Sequence, residues 1–340
     1  MTVTYNRYDY TILNANENVL GPSPKVRQAM IDAFDKACRY PYQEIEEFAQ
    51  QVAEKEGVSR AHVVLCAGSS EGLNATGLTY GVNGGEIITA DPVYDFLLNY
   101  AQRFGAFINK VPLDKDLQHD LDEMERRLSN ATSLVFLCNP NNPSGTLIPK
   151  DKLVDFCNRV SERTIVFSDE AYCDYITEPD YPSMVDLVKQ NRNIIVAKTF
   201  SKVFGMAGLR IGYLIARPDI AGRIRKNVMG RVNMLAIVAA QAAWEDDEFY
   251  QMSIAKNQEA KEYVYAILDE LGLKYVPSHA NFVFFDAGMD VMELRTKMLS
   301  HGVSVGRPFP PYATWCRVST GHMEEMELFG VAMQKIYRPS

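Results

Sequence analysis

The sequence predicts an α/β chain: a large domain around a mostly parallel seven-stranded sheet, followed by a smaller α+β C-terminal domain. Three observations carry this. From about residue 60 to 216, short apolar runs rich in β-branched residues alternate with amphipathic stretches of helical length, the mark of βα units around a buried sheet. Beyond about residue 219 the pattern changes to long helical stretches and then to short strands. The chain has 340 residues, 47% of them hydrophobic and 23% charged, enough for one large or two modest cores.

The first thirty residues are rich in Asn and Pro (Asn14, Asn16, Asn18, Pro22, Pro24) and read as an extended arm packing with the small domain. Strands are then expected at 62–66, 86–90, 107–112, 133–138, 164–168, 193–198 and 210–216. Between them, apolar residues at helical spacing predict helices at 71–80, 93–104, 121–128 and 150–160. Helical stretches follow at 220–228 and 236–271, the latter with charges interleaved among apolar positions. Strands at 274–276, 281–286, 303–306 and 316–319 lead to a last helix at 323–337, entered through Thr320-Gly321. The expected organisation is an arm over 1–30, a large domain over 31–235 and a small domain over 236–340.

A net charge of −8 argues against nucleic acid or acidic membranes as the main partner, while leaving room for a local basic pocket. The six cysteines (Cys38, Cys66, Cys138, Cys157, Cys173, Cys316) are scattered, with no CxxC and no Cys/His metal spacing. They read as buried free thiols of a reducing compartment. The start, Met1 to Tyr8, lacks an apolar signal region, and no run approaches a membrane span. A cytoplasmic protein without membrane contact is expected.

The segment that bears most on chemistry is Thr199-Phe200-Ser201-Lys202, at the end of an apolar strand and trailed by Gly205, Gly208 and Arg210. A partly desolvated lysine can lose its proton near neutral pH and form an imine with an aldehyde. The hydroxyls and the guanidinium suit a phosphate on that aldehyde compound. Cys66-Ala67-Gly68-Ser69-Ser70 joins a strand to a helix start, where backbone N–H groups and hydroxyls can cradle a phosphate. Tyr94, in Asp91-Pro92-Val93-Tyr94, can lie over a planar ring. Asn141-Asn142-Pro143-Ser144-Gly145 aims amides at the crevice where α/β sheets bind ligands. Asp169, closing the strand before Glu170-Ala171-Tyr172, is placed as a buried carboxylate needing a partner.

Taken singly, each segment has a plainer reading: a surface lysine, a helix cap, a core tyrosine, a turn, a buried ion pair. Together they fall at the carboxyl ends of successive strands and make one site along one sheet edge. The five histidines (His62, His119, His279, His301, His322) show no metal spacing and read as structural or surface residues.

This set resembles the fold-type I pyridoxal-phosphate enzymes, within them the class I/II aminotransferases, and most closely the histidinol-phosphate aminotransferase group. The resemblance runs from Asn14-Ala15-Asn16-Glu17-Asn18 through Arg39-Tyr40-Pro41 and the motifs above to Cys316-Arg317-Val318-Ser319-Thr320-Gly321. It implies pyridoxal 5'-phosphate as cofactor, with Lys202 carrying its aldehyde and later moving the substrate proton. It implies that Asp169 pairs with the pyridine nitrogen, that Tyr172 and Asn142 bond the ring's phenolic oxygen, and that Tyr94 stacks on the ring. Ser69, Ser70, Thr199, Ser201 and Arg210 would hold the cofactor phosphate, and Tyr40 would reach the phosphate of a neighbouring subunit in a homodimer with shared sites. Arg317 would clamp a substrate carboxylate, with Asn16, Tyr94 and Arg307 also facing the substrate. An amino donor and a 2-oxo acid acceptor are the implied partners.

Two segments depart from the family pattern. Val19-Leu20 follow Asn16-Glu17-Asn18 where the family shows an aromatic residue, and Val305-Gly306-Arg307-Pro308 stands where it shows arginine then aspartate. Either Arg307 meets a substrate phosphate, or the register is shifted there. Transamination of aromatic or other unphosphorylated amino acids therefore stays open, as does decarboxylation of a phosphorylated amino acid. A non-catalytic cofactor sensor would call for a basic DNA-binding domain ahead of the fold, and this chain is acidic.

Overall fold

A computed structural model describes residues 10–338. Residues 1–9, part of the expected arm, lie outside the described residues. The elements run β1 (Thr11–Leu13), α1 (Pro24–Asp32), α2 (Tyr42–Glu56), β2 (Val63–Cys66), α3 (Ser69–Gly81), β3 (Glu86–Asp91), α4 (Phe96–Gln102), β4 (Phe107–Pro112) and α5 (Leu121–Arg126). Next come β5 (Thr132–Cys138), α6 (Lys150–Val160), β6 (Ile165–Asp169), α7 (Val185–Lys189), β7 (Ile194–Thr199), β8 (Gly212–Ala216), α8 (Pro218–Arg225), α9 (Met234–Trp244) and α10 (Asp247–Glu270). The chain closes with β9 (Tyr275–Val276), β10 (Phe282–Asp286), α11 (Val291–Ser300), β11 (Val303–Val305), β12 (Trp315–Ser319) and α12 (Met323–Tyr337).

The large sheet has seven strands in the order β2-β8-β7-β6-β5-β3-β4. Only β8 runs against the others, pairing antiparallel with both β2 and β7. Its central strands are buried on both faces, with every residue of β6 buried. That is why Ile165–Phe167 and Ile194–Ala197 read as unbroken apolar runs rather than as alternating ones. The strand order has a direct consequence. The carboxyl ends of β2, β3, β5, β6 and β7 share one edge with the amino end of β8, so Arg210, just ahead of β8, joins the same crevice. In space the motifs run phosphate loop, Arg210, Lys202, Asp169, Asn142, Tyr94, which differs from chain order because the sheet is doubly wound.

A three-stranded antiparallel sheet, β12-β10-β9, forms the C-terminal platform. Its core of Val283, Phe285, Val318, Phe329 and Met333 is distinct from the two cores that flank the large sheet.

Three expectations are corrected. The arm is not merely extended: β1 pairs in parallel with β11, Leu13 is fully buried in the C-terminal core, and α1 begins at Pro24, capped by the Ser23 hydroxyl. A strand of three residues is too short to show a period. The stretch 236–271 is two helices, broken at Glu245-Asp246, where acidic residues suit the positive amino end of α10. His119 is a structural histidine: it is buried, with Nε2 bonded to the Cys138 carbonyl at 3.1 Å. Cys38 is exposed and Cys173 half-buried, while the other four cysteines are buried. Helix α2 was not anticipated, although Ile45, Phe48, Ala49, Val52 and Ala53 carry the helical spacing of its buried face. Among the described residues, no helix is long and apolar enough to cross a membrane.

Candidate active site

Lys202 lies just past the end of β7 and is partly buried. Its Nζ donates to the backbone carbonyl of Asn16 (2.9 Å) and sits 5.2 Å from the centre of the Tyr172 ring. Burial, followed by the nearby Arg317 charge, lowers its ammonium to about 8. Asp169 ends β6 with 2% exposure, and its Oδ1 accepts from the Ala171 N–H at 3.2 Å. Burial pushes its carboxyl up to about 7, against the pull of that N–H and of Lys202. The site thus holds a basic amine and an acid that lacks a close cation.

Around this pair the arm and the C-terminal sheet close a polar network. Tyr172 is buried and accepts two amide N–H bonds at its hydroxyl, from Asn16 (3.0 Å) and Asn142 (3.2 Å). Arg317, in β12, donates through Nη1 to Asn142 Oδ1 (2.6 Å) and through Nη2 to the Asn14 carbonyl (2.7 Å). Its guanidinium lies between the rings of Phe282 and Phe309, at 5.5 and 5.2 Å. Among the described residues the Nε of this buried arginine has no partner, and burial lowers the group from its ordinary value. An unsatisfied buried guanidinium is costly; a carboxylate or phosphate entering the crevice would supply what it lacks.

The phosphate side is equally built. Gly68 precedes α3 with φ 77° and ψ 159°, a conformation open essentially to glycine alone. A Cβ added there would meet Arg210 Nη2 at 2.3 Å. Arg210 itself takes a left-handed backbone (φ 58°) and donates to the carbonyls of Ala207 (2.8 Å) and Ala67 (3.3 Å). Ser69 and Ser70 open α3, and the Thr199 and Ser201 hydroxyls bond one another at 2.9 Å. Backbone, two pairs of hydroxyls and one guanidinium converge where the helix dipole favours an anion. Tyr94 is half-buried, stacked nearly parallel on Phe96 (6.0 Å, 5°).

The structure therefore links Lys202, Tyr172, Asn142, Asn16 and Arg317 through hydrogen bonds or ring contact, and sets Asp169, Ser69, Ser70, Thr199, Ser201, Arg210 and Tyr94 along the same edge. Two expected residues stand apart from this network. Tyr40 is 78% exposed, with its ring against Tyr42 (5.8 Å). Arg307 lies at the rim, half-exposed, paired with Asp95 at 3.4 Å. Three residues that sequence reasoning missed complete the network. Ser319 accepts from the Asn16 N–H (2.8 Å) and donates to Asn16 Oδ1 (2.9 Å); Asn281 donates to the Asn16 carbonyl (3.1 Å); Asn14 receives Arg317. Ser319 had a signal: two residues after Arg317 in one strand, it must share its face.

The family model for "Aminotransferase class I and II" matches residues 8–331. The chain belongs to this family. Among curated relatives, it is similar to the histidinol-phosphate aminotransferase of Moorella thermoacetica, 39% identical over 96% of this chain and 86% of that one. It is also similar to that of Caldicellulosiruptor saccharolyticus, 33% identical over 95% and 91%. Among solved structures, the histidinol-phosphate aminotransferase of Sinorhizobium meliloti in complex with pyridoxal-5'-phosphate superposes with a TM-score of 0.88 at 28% identity, covering 97% of this chain and 91% of that one. The family's fold is the one described above, a large mostly parallel seven-stranded α/β sheet with helices on both faces.

Proposed function

We propose that this aminotransferase uses pyridoxal 5'-phosphate and moves the amino group of histidinol phosphate to 2-oxoglutarate. The observation that carries the cofactor assignment is the fit of an incomplete site. Asp169 is a buried acid without a close cation among the described residues, the missing Cβ at Gly68 lets the Arg210 guanidinium press against the phosphate loop, and Lys202 is an amine lowered to about 8. When bound, the cofactor supplies an aldehyde for imine exchange and a conjugated ring that draws electrons from the substrate Cα.

The chain's residues then divide the work. Ser69, Ser70, Thr199, Ser201 and Arg210 hold the phosphate. Asp169 would pair with the cofactor's ring nitrogen, a cation beside which its buried carboxyl would ionise. Tyr94, backed by Phe96, covers one ring face. Lys202 would hold the aldehyde and serve as the base at the substrate Cα, and its lowered ammonium keeps roughly a tenth of it unprotonated at pH 7. Tyr172 and Asn142 face the ring's phenolic oxygen. Asn16, held by Ser319 and Asn281, keeps the Tyr172 hydroxyl fixed. Arg317 binds the carboxylate of the acceptor-side amino acid, and Arg307 an anionic group of the donor.

The resemblance to histidinol-phosphate aminotransferases along nearly the whole chain supports this donor. By the same reading the enzyme works in the cytoplasm as a homodimer, in which the exposed Tyr40 reaches the partner's phosphate site. A half-reaction panel tests the donor: histidinol phosphate, glutamate, phenylalanine and tyrosine are each mixed with the cofactor-loaded enzyme and the loss of its absorbance followed. Rapid reaction with histidinol phosphate and glutamate is expected. Preference for phenylalanine or tyrosine, or release of carbon dioxide, would replace this reading by an aromatic aminotransferase or a decarboxylase.

A further inference from the structure

Two arginines reach the crevice mouth from the C-terminal platform, and they are not equally free. Arg307 follows Gly306, whose N–H donates to the Arg317 carbonyl at 2.8 Å and whose position leaves no room for a Cβ, 2.5 Å from that oxygen. The backbone that carries Arg307 is therefore held against the strand of Arg317. Both guanidiniums lie over one buried ring, Phe309, at 4.5 and 5.2 Å. Arg317 has no carboxylate partner among the described residues. Arg307 has one: Asp95 Oδ2, at 3.4 Å from Nη2. Asp95 stands on the opposite wall, one residue after Tyr94 and 212 positions away in the chain.

Asp95 has no competing task at this place. It occupies the residue before α4, where a side chain commonly caps the helix, yet it makes no capping hydrogen bond. Both partners are about half-exposed, with side chains 50% and 44% accessible. Such a pair is screened by water and weak, so a better anion can displace it. A phosphate offers more charge and a bidentate fit to the guanidinium fork.

We propose that Asp95 is a specificity-determining residue that occupies Arg307 in the resting enzyme and yields it only to a strongly anionic group on the substrate. A neutral hydroxyl at that end of a donor leaves the pair intact and bears none of its cost, so the pair lowers affinity for the phosphorylated donor alone and tempers the gap between phosphorylated and unphosphorylated donors. Because the two residues lie on opposite walls, the pair also spans the crevice mouth. This rests on the reading that Arg307 meets an anionic group of the donor.

The test is the second-order rate constant of the half-reaction with histidinol phosphate and with histidinol, for the wild type, Asp95→Asn, Arg307→Gln and the double variant. Asp95→Asn should raise the rate constant for histidinol phosphate about two- to fivefold, the range expected of an exposed ion pair, and leave that for histidinol unchanged. The gain should vanish when Arg307→Gln is also present, since the cycle then has no partner to release. Rate constants for histidinol phosphate that are unchanged or lower in Asp95→Asn, while Arg307→Gln alone lowers them, would overturn the role of Asp95 and leave that of Arg307 standing. If Arg307→Gln alone leaves the preference for histidinol phosphate over histidinol intact, the reading beneath the proposal fails as well.

Discussion

Replacing Asp169 by Asn should make the cofactor-free enzyme more stable, and increasingly so as pH rises. The reasoning starts from burial. Desolvation lifts the Asp169 carboxyl from 3.8 to about 7, so the folded chain holds its proton more tightly than the unfolded chain does. Stability associated with that proton is complete below 3.8 and is lost as pH rises through 7. Between pH 5 and pH 8 this one group should withdraw about 2.5 kcal/mol, at 1.36 kcal/mol per pKa unit, a sizeable part of the 5–15 kcal/mol typical of a domain. Asparagine keeps the shape and can still accept the Ala171 N–H bond made at 3.2 Å, but it does not ionise. Urea unfolding of both cofactor-free proteins at pH 5, 6, 7 and 8 would measure it. The two stability curves should diverge by about 2.5 kcal/mol over that range, and cofactor should restore the wild type at pH 8. Curves that run parallel would mean that Asp169 is not held as a desolvated acid, and the argument for a cation beside it would fall.

Two further substitutions probe the cradle and the arm. Gly68→Ala forces a Cβ to 2.3 Å from Arg210 Nη2 at a backbone angle of 77°. It should weaken cofactor affinity at least tenfold, as followed by absorbance titration, while Arg210→Lys weakens it less. Ser319→Ala strips the buried Asn16 N–H of its acceptor; about 1–3 kcal/mol of stability should be lost in urea, and Ser319→Thr, which keeps the hydroxyl, should recover most of it.

Much of the large sheet was legible because its strands are buried on both faces. Val166, Phe167, Ile195 and Val196 are wholly inaccessible, and such positions admit few residue types. The carboxyl-end rule then places Tyr94, Asn142, Asp169 and Lys202 on one edge. Arg210 was legible only by its nearness to Lys202; its place depends on β8 entering the sheet from the same edge, which strand content alone does not fix. Leu13 was hidden because a three-residue strand has no period. Ser319 and Asn281 were hidden because their work is to hold Asn16, 303 and 265 positions away, and a serine in a strand carries no chemical signature of its own. The break at Asp246 contains neither proline nor glycine, so nothing local announced it. Asp95 was passed over for the same reason as Ser319: its partner, Arg307, is reached only through the fold.

The account stands or falls on which nitrogen takes the cofactor. The purified chain should be incubated with pyridoxal 5'-phosphate, reduced with borohydride, digested and mapped by mass spectrometry. Reduced cofactor on Lys202, at near-stoichiometric yield and in a single peptide, is the predicted result. A protein left unlabelled, or label spread over exposed lysines such as Lys115 and Lys256 with Lys202 untouched, would contradict it.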